Sequence, residues 1–206
     1  MRNLECARIE LDEIWGYIGK EDRHVRPGDD PQFGNVWTFC AIDSDTKLAP
    51  AFRVAEDRDV RNSNAFVPNV ADRVKNRLQI STDGLASYVD AVDWAFCRNV
   101  DYGQIINTYG TQESVEAQRR HSAPKIETIE KKAVFGRPNF DLISTSHIER
   151  LNATTRLHMK RLARLTHAFS KKLGNFEAAI GLPLRLLQLR RTPQYTALHS
   201  GDGCGS

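Results

Sequence analysis

Three acidic side chains stand apart from the ordinary surface charge of this chain by their settings. Asp12 lies in Glu10-Leu11-Asp12-Glu13-Ile14-Trp15, Asp83 in Ile80-Ser81-Thr82-Asp83-Gly84, and Glu149 in Ser144-Thr145-Ser146-His147-Ile148-Glu149-Arg150. Carboxylates are the hard oxygen donors that Mg²⁺ or Mn²⁺ requires, and phosphoryl transfer on nucleic acids commonly uses two such ions about 3.5–4 Å apart. Two Asp and one Glu would supply the charge for such a pair. A second signal is cationic. From Arg150 to Leu173 there is no Asp or Glu, while Arg150, Arg156, Lys160, Arg161, Arg164, Lys171 and Lys172 are all present. A local positive field of this kind attracts phosphate.

The elements that would position these groups follow from periodicity. Cys6 to Ile18 alternates apolar and polar residues as a strand does, with Asp12 in its middle. Gly19 to Gly34 reads as a loop, Val36 to Ile42 as a second strand, Asp43 to Lys47 as a turn and Leu48 to Val54 as a third strand. The first half is thus an antiparallel meander. Ser63 to Asn76 has helical spacing of Phe66, Val70 and Val74, with Pro68 tolerated near the start. A strand follows from Arg77 and ends at Asp83-Gly84. Leu85 to Phe96 spaces out as a helix, and Val100 to Tyr109 forms a fifth strand. Thr111 to Asn139, polar and broken by Pro124, Gly136 and Pro138, reads as an irregular insertion.

The last element is expected to be one long helix from Ser146 to Leu173. Ser146 with Glu149 three residues on makes a capping-box sequence. Ile148, Leu151, Thr155, Met159, Leu162, Thr166, Phe169 and Leu173 would face the core. Glu149, Asn152, Arg156 and Lys160 would share another face, so that the acid and a basic stripe point the same way.

Meander, helix, strand ending in Asp, helix, strand, then a helix with an acid in its first turn is the element order of an α/β, RNase H-like fold of the retroviral-integrase type. That fold has a mixed five-stranded sheet flanked by helices. The residues themselves also resemble a family. Asp12-Glu13-Ile14-Trp15, Ala41 to Lys47, Ile80 to Gly84, Asp101-Tyr102-Gly103-Gln104 and Ile143 to Arg150, continuing to Leu173, are similar to the catalytic region of DDE transposases of insertion sequences, specifically the IS-one type. The resemblance implies a catalytic and metal-binding triad of Asp12, Asp83 and Glu149, a Mg²⁺ or Mn²⁺ cofactor as two ions, and DNA cleavage and strand transfer in transposition. The implied partners are transposon ends and target DNA, with a homo-oligomer assembling on the DNA. On the basic face, Arg150, Asn152, Arg156, Lys160 and Arg164 are expected to contact DNA.

The chain departs from the family at both ends. It starts almost at the first catalytic strand, so the family's N-terminal DNA-recognition region is expected to be missing and the chain to be a truncated copy. Residues 1–175 are expected to form the catalytic domain and 176–206 a divergent tail. Pro183-Leu184-Arg185-Leu186-Leu187-Gln188-Leu189 stands where the family has an aromatic-rich helix, and its codons, read one nucleotide later, can encode such a helix. A frameshift near Leu182 and a disordered Gly- and Ser-rich ending follow as expectations.

Singly, each acid also has a structural reading: Glu149 as a capping partner, Asp83 as a turn residue, Asp12 as a solvent-facing strand residue. Glu13, Asp43 and Asp45 are set aside, because a strand neighbour points to the opposite face and a hairpin turn is distant. His147 is expected to pack or hydrogen-bond. Two other functions remain open: a catalytically inactive remnant that only binds DNA, and an RNase H-like nuclease.

Composition fits either enzyme. The 206 residues are 40% hydrophobic and 27% charged with a net charge of +3, enough for one well-filled domain. Neither an apolar run of about 18 residues nor a signal peptide core is present, so no membrane association and a cytoplasmic location are expected. Cys6, Cys40, Cys97 and Cys204 are too scattered for a zinc ribbon or disulfide framework.

Overall fold

A computed structural model of the chain describes residues 2–109, 126–163 and 167–190. Arg164, Cys204 and the ending from 191 onward lie outside the described residues. Strand β1 (Arg8–Ile18) is the longest of the described strands and lies between two partners. It pairs antiparallel with β2 (Gly34–Asp43), which pairs antiparallel with the short edge strand β3 (Phe52–Ala55). On its other side β1 runs parallel to β4 (Gln79–Asp83), and β4 runs parallel to β5 (Asp101–Tyr109).

The sheet has six strands, not five. The sixth, β6 (Ile126–Phe135), pairs antiparallel with β5 and gives the order β3-β2-β1-β4-β5-β6. It lies inside the stretch expected to be irregular. Residues 128–133 are exposed and include Glu130, Lys131 and Lys132, so no buried face imposes the apolar alternation by which a strand is recognised. Charged residues on an edge strand also discourage pairing with other chains. This mixed α/β sheet, flanked by helices, is consistent with an RNase H-like fold.

Two cores form, one on each face. Ile9, Leu11, Phe39, Ala41 and Ile80 pack against Phe66, Val67 and Val70 of α1 (Val60–Ala71) and Tyr88, Ala91 and Val92 of α2 (Ser87–Phe96). Asp59 caps α1 by accepting from the Asn62 amide at 2.9 Å. On the opposite face Ile14, Ile18, Val36, Cys40 and Ile42 pack against α3 (Ser146–His158) and α4 (Leu173–Arg190). None of the helices described is long and apolar enough to cross a membrane.

The long helix expected from Ser146 is broken. Helix α3 stops at His158, Met159 takes extended backbone, and a 3-10 turn covers Lys160–Leu162. No Pro or Gly marks the break. It sends Met159 and Leu162 into the core with Phe176, Ile180 and Leu184, while Arg156 Nη1 donates to the Leu162 carbonyl at 3.2 Å. Burial of these side chains and the satisfied carbonyl outweigh the helical propensity of the segment.

Helix α4 carries the packed domain beyond residue 175. Phe176, fully buried, lies so close to β1 that a Cβ on Gly16 would stand 2.9 Å from its Cζ. Phe176→Ala should therefore lower the unfolding free energy by about 3–5 kcal/mol, the usual cost of emptying a buried aromatic site. A urea midpoint equal to that of the parent chain would show that α4 does not belong to the folded unit.

Candidate metal centre

The parallel pairing of β1 and β4 ends at Leu11 and Thr82. Beyond it, β4 contributes only Asp83 before Gly84 turns the chain away, with the Leu85 amide donating to Asp83 Oδ1 at 3.0 Å. Strand β1 continues through Asp12 and Glu13 with no parallel partner on that side. Into this gap Asp12, Glu13 and Asp83 each bring a carboxylate oxygen, all within 4.8 Å of one another. The ends of parallel strands are where α/β sheets open a crevice for ligands.

Glu13 was not expected here. The alternation rule is obeyed, since its side chain lies on the α2 face: the Tyr88 hydroxyl donates to Oε1, and Arg58, stacked 4.6 Å over Trp37, stands 3.8 Å from Oε2. The rule does not bar it from the cluster because β4 has ended, and a carboxylate on either face can reach the same opening. The strand-ending Asp83-Gly84, read together with the parallel partner of β1, was the available signal. Asp43 and Asp45 are engaged in the turn after β2, where Thr46 Oγ1 donates to Asp43 at 2.5 Å and Arg8 pairs with Asp45.

The fourth acid, Glu149, projects from the first turn of α3. Thr145 Oγ1 donates to its Oε1 at 2.7 Å, and its charge acts on Asp12, although its oxygens lie outside the group of three. The capping box expected with Ser146 does not form. The acid that caps α3 is Glu10, buried on β1: its Oε2 accepts from the His147 and Ile148 amides at 2.8 and 2.9 Å, and Ser44 Oγ donates to Oε1 at 3.0 Å. An anion at a helix N-terminus is favoured by the unpaired N–H groups and the helix dipole. Glu10 thus ties the start of α3 to the strand that carries Asp12.

Burial and crowding disturb Asp12 and Glu13 strongly. Burial lifts the Asp12 carboxyl to about 6, with Asp83 and Glu149 adding to the rise and a hydrogen bond from Asn152 Nδ2 at 2.7 Å opposing it. Burial lifts Glu13 to about 8, opposed by Tyr88 and Arg58 and reinforced by Asp83 and Asp12. Burial and the neighbouring Glu13 push the Tyr88 phenol well up, which keeps it a donor. The donor set is all oxygen, which fits a hard divalent cation; sulfur is absent from it, and the thiol of Cys40, paired with Asp12 across β1 and β2, is buried and held protonated.

No family model matches the chain, and no curated protein does. Among solved structures, it is similar to the piggyBac transposase in a cryo-EM structure of its synaptic complex with hairpin DNA. The TM-score is 0.44 and the identity 12%, over 88% of this chain and 45% of that one. The chain thus spans less than half the length of that relative. What the centre can do follows from its own residues.

The residues expected to contact DNA differ in exposure and in the element that carries them. Arg150 is exposed on α3, and Lys160 is exposed but sits in the 3-10 turn, off the helix whose face it was to share. Arg156 is half-buried on α3. Asn152 is buried, on the inward side of α3 with Ile148, Leu151 and Thr155.

The raised carboxyls give this centre a pH signature. Against unfolded values near 4, the folded protein retains protons on Asp12 up to about 6 and on Glu13 up to about 8. Their contribution to stability is present near pH 4 and is lost as the pH rises through these values. In metal-free protein, Glu13→Gln should remove part of that loss, so that its melting temperature gains on the parent chain between pH 5 and pH 8. Mn²⁺ should raise the parent's melting temperature more at pH 8 than at pH 5. Parallel curves for parent and variant in metal-free buffer would show that Glu13 is already ionised at pH 5.

Proposed function

We propose that the chain carries out metal-dependent phosphoryl transfer on DNA as a DDE-type transposase resembling the IS-one type. The observation that carries this reading is the convergence of Asp12, Glu13 and Asp83 oxygens within 4.8 Å where β4 ends, beside the helix bearing Glu149. In this reading Asp12, Asp83 and Glu149 are the catalytic acids and ligands of Mg²⁺ or Mn²⁺, and Glu13 joins them. When bound, such ions lower the pKa of an attacking water or DNA 3′-hydroxyl and stabilise the leaving oxygen.

The protein's own part is placement and charge. Tyr88 and Arg58 hold Glu13 from one face of the sheet, while Asn152 and the Glu10-anchored helix hold Asp12 and Glu149 on the other. Arg150, Arg156 and Lys160 would hold the DNA backbone, contacts that position DNA without reading its sequence. Assembly on transposon ends and target DNA belongs to the same proposal.

With Mn²⁺ the chain should nick supercoiled DNA, and Asp83→Asn should abolish nicking by removing one charge while keeping the shape of the side chain. Equal nicking by both would assign the activity to another site. Joining of a 3′-OH end to target DNA under the same conditions separates a transposase from a nuclease. Lys160→Ala should reduce the slope of log binding constant against log salt by about 0.7–0.9, one phosphate contact, on any DNA sequence. An unaltered slope would leave Lys160 to solvent.

A further inference from the structure

Asn152 lies where DNA cannot reach it. Its residual exposure is 8%, and its Nδ2 donates to Asp12 Oδ2 at 2.7 Å. Its amide oxygen is enclosed and has no hydrogen-bond partner among the described residues. A buried acceptor left in this state costs the free energy of its lost hydration, and such atoms are scarce in folded proteins. The amide cannot simply be reversed, because two acceptor oxygens would then face each other once Asp12 ionises. Amide C=O and C–N bond lengths put the oxygen about 2.3 Å from Nδ2, hence no more than about 5 Å from Asp12 Oδ2. That is the span of the carboxylate cluster itself, 4.8 Å.

We infer that Asn152 is a residue of the metal centre and not of the DNA-contacting surface, with its two amide atoms acting together. Nδ2–H fixes one oxygen of Asp12, which leaves the other free to face the cation. Oδ1 accepts a hydrogen bond from a water in the cation's coordination shell, since Mg²⁺ and Mn²⁺ sites of few protein ligands retain water. The inference rests on the metal-dependent reading above. It makes Asn152 a positioning residue, the kind of supporting contact whose loss weakens metal binding although the ligands remain.

The orphaned oxygen also supplies the means of separating this role from packing. Asn152→Leu replaces both polar atoms by an apolar group of similar size: it relieves the unsatisfied acceptor and withdraws one donor from Asp12, two effects on stability of opposite sign. A purely structural Asn152 would leave metal affinity unchanged. We expect the metal-free Asn152→Leu chain to fold cooperatively, with a urea midpoint close to the parent's, yet to bind Mn²⁺ about 10–100-fold more weakly, measured by the electron paramagnetic resonance of free Mn²⁺. Asn152→Asp keeps an oxygen but puts a second acceptor where Nδ2 donates to Asp12, so it should also bind Mn²⁺ more weakly than the parent, by about 10-fold, and serves alone if the Leu variant does not fold: affinity equal to the parent's would overturn the role. Mn²⁺ affinity of Asn152→Leu equal to the parent's, with Asp83→Asn binding weakly, overturns the assignment of Asn152 alone. A parent chain that binds no Mn²⁺ overturns it together with the metal-dependent reading.

Discussion

The hydrogen bonds between the Glu10 carboxylate and the first amides of α3 are the contact on which the arrangement of the site depends. Asp12 and Glu149 are 137 residues apart, and nothing local in the sequence brings a helix start to the middle of β1. A buried carboxylate two residues before Asp12 does so. It shares the face of Asp12, so the helix it captures lies over that face, and its bond from Ser44 ties the same point to the turn after β2. The energy of a charge-assisted cap is set by unpaired amides that would otherwise be buried without partners, which makes the position of the helix steep rather than approximate.

Asp12 and Glu13 are consecutive, so the pleat sends them to opposite faces, and within a continuous sheet their carboxylates could not meet. They meet because β1 outruns β4. The neighbouring strand ends at Asp83, and past that point both faces open onto one gap. The site is therefore a property of unequal strand lengths. Each face then contributes a different restraint: a phenol and a guanidinium from the α1–α2 side, and an amide from α3 on the other.

The sequence made the sheet order legible up to β5, and with it the meeting of Asp12 and Asp83, because apolar alternation and turn residues mark buried strands. It concealed β6, whose exposed charges carry no alternation, and the break at Met159, which no helix-breaking residue announces. Both depend on tertiary contacts. Glu13 was excluded by a sound local rule that takes no account of where the adjacent strand stops. Glu10 was invisible for a similar reason, since a helix cap supplied from 137 residues away leaves no short-range pattern, whereas the Ser146 and Glu149 pair leaves one without using it.

A cluster of half-buried acids of this kind opposes the folding of the protein that contains it. Each carboxylate taken from water loses hydration, and each ionisation raises the cost of the next. Arg58, 3.8 Å from one oxygen of Glu13, offsets part of this charge. Protons relieve the strain in part, as the raised Asp12 and Glu13 carboxyls record. A packed hydrophobic residue at any of these positions would relieve it more fully and add burial. Three acids nevertheless face one another across a strand end, with hydrogen-bond donors holding Glu13 from one face and Asp12 from the other, and a cation that bound there would offset the repulsion that protons relieve only in part.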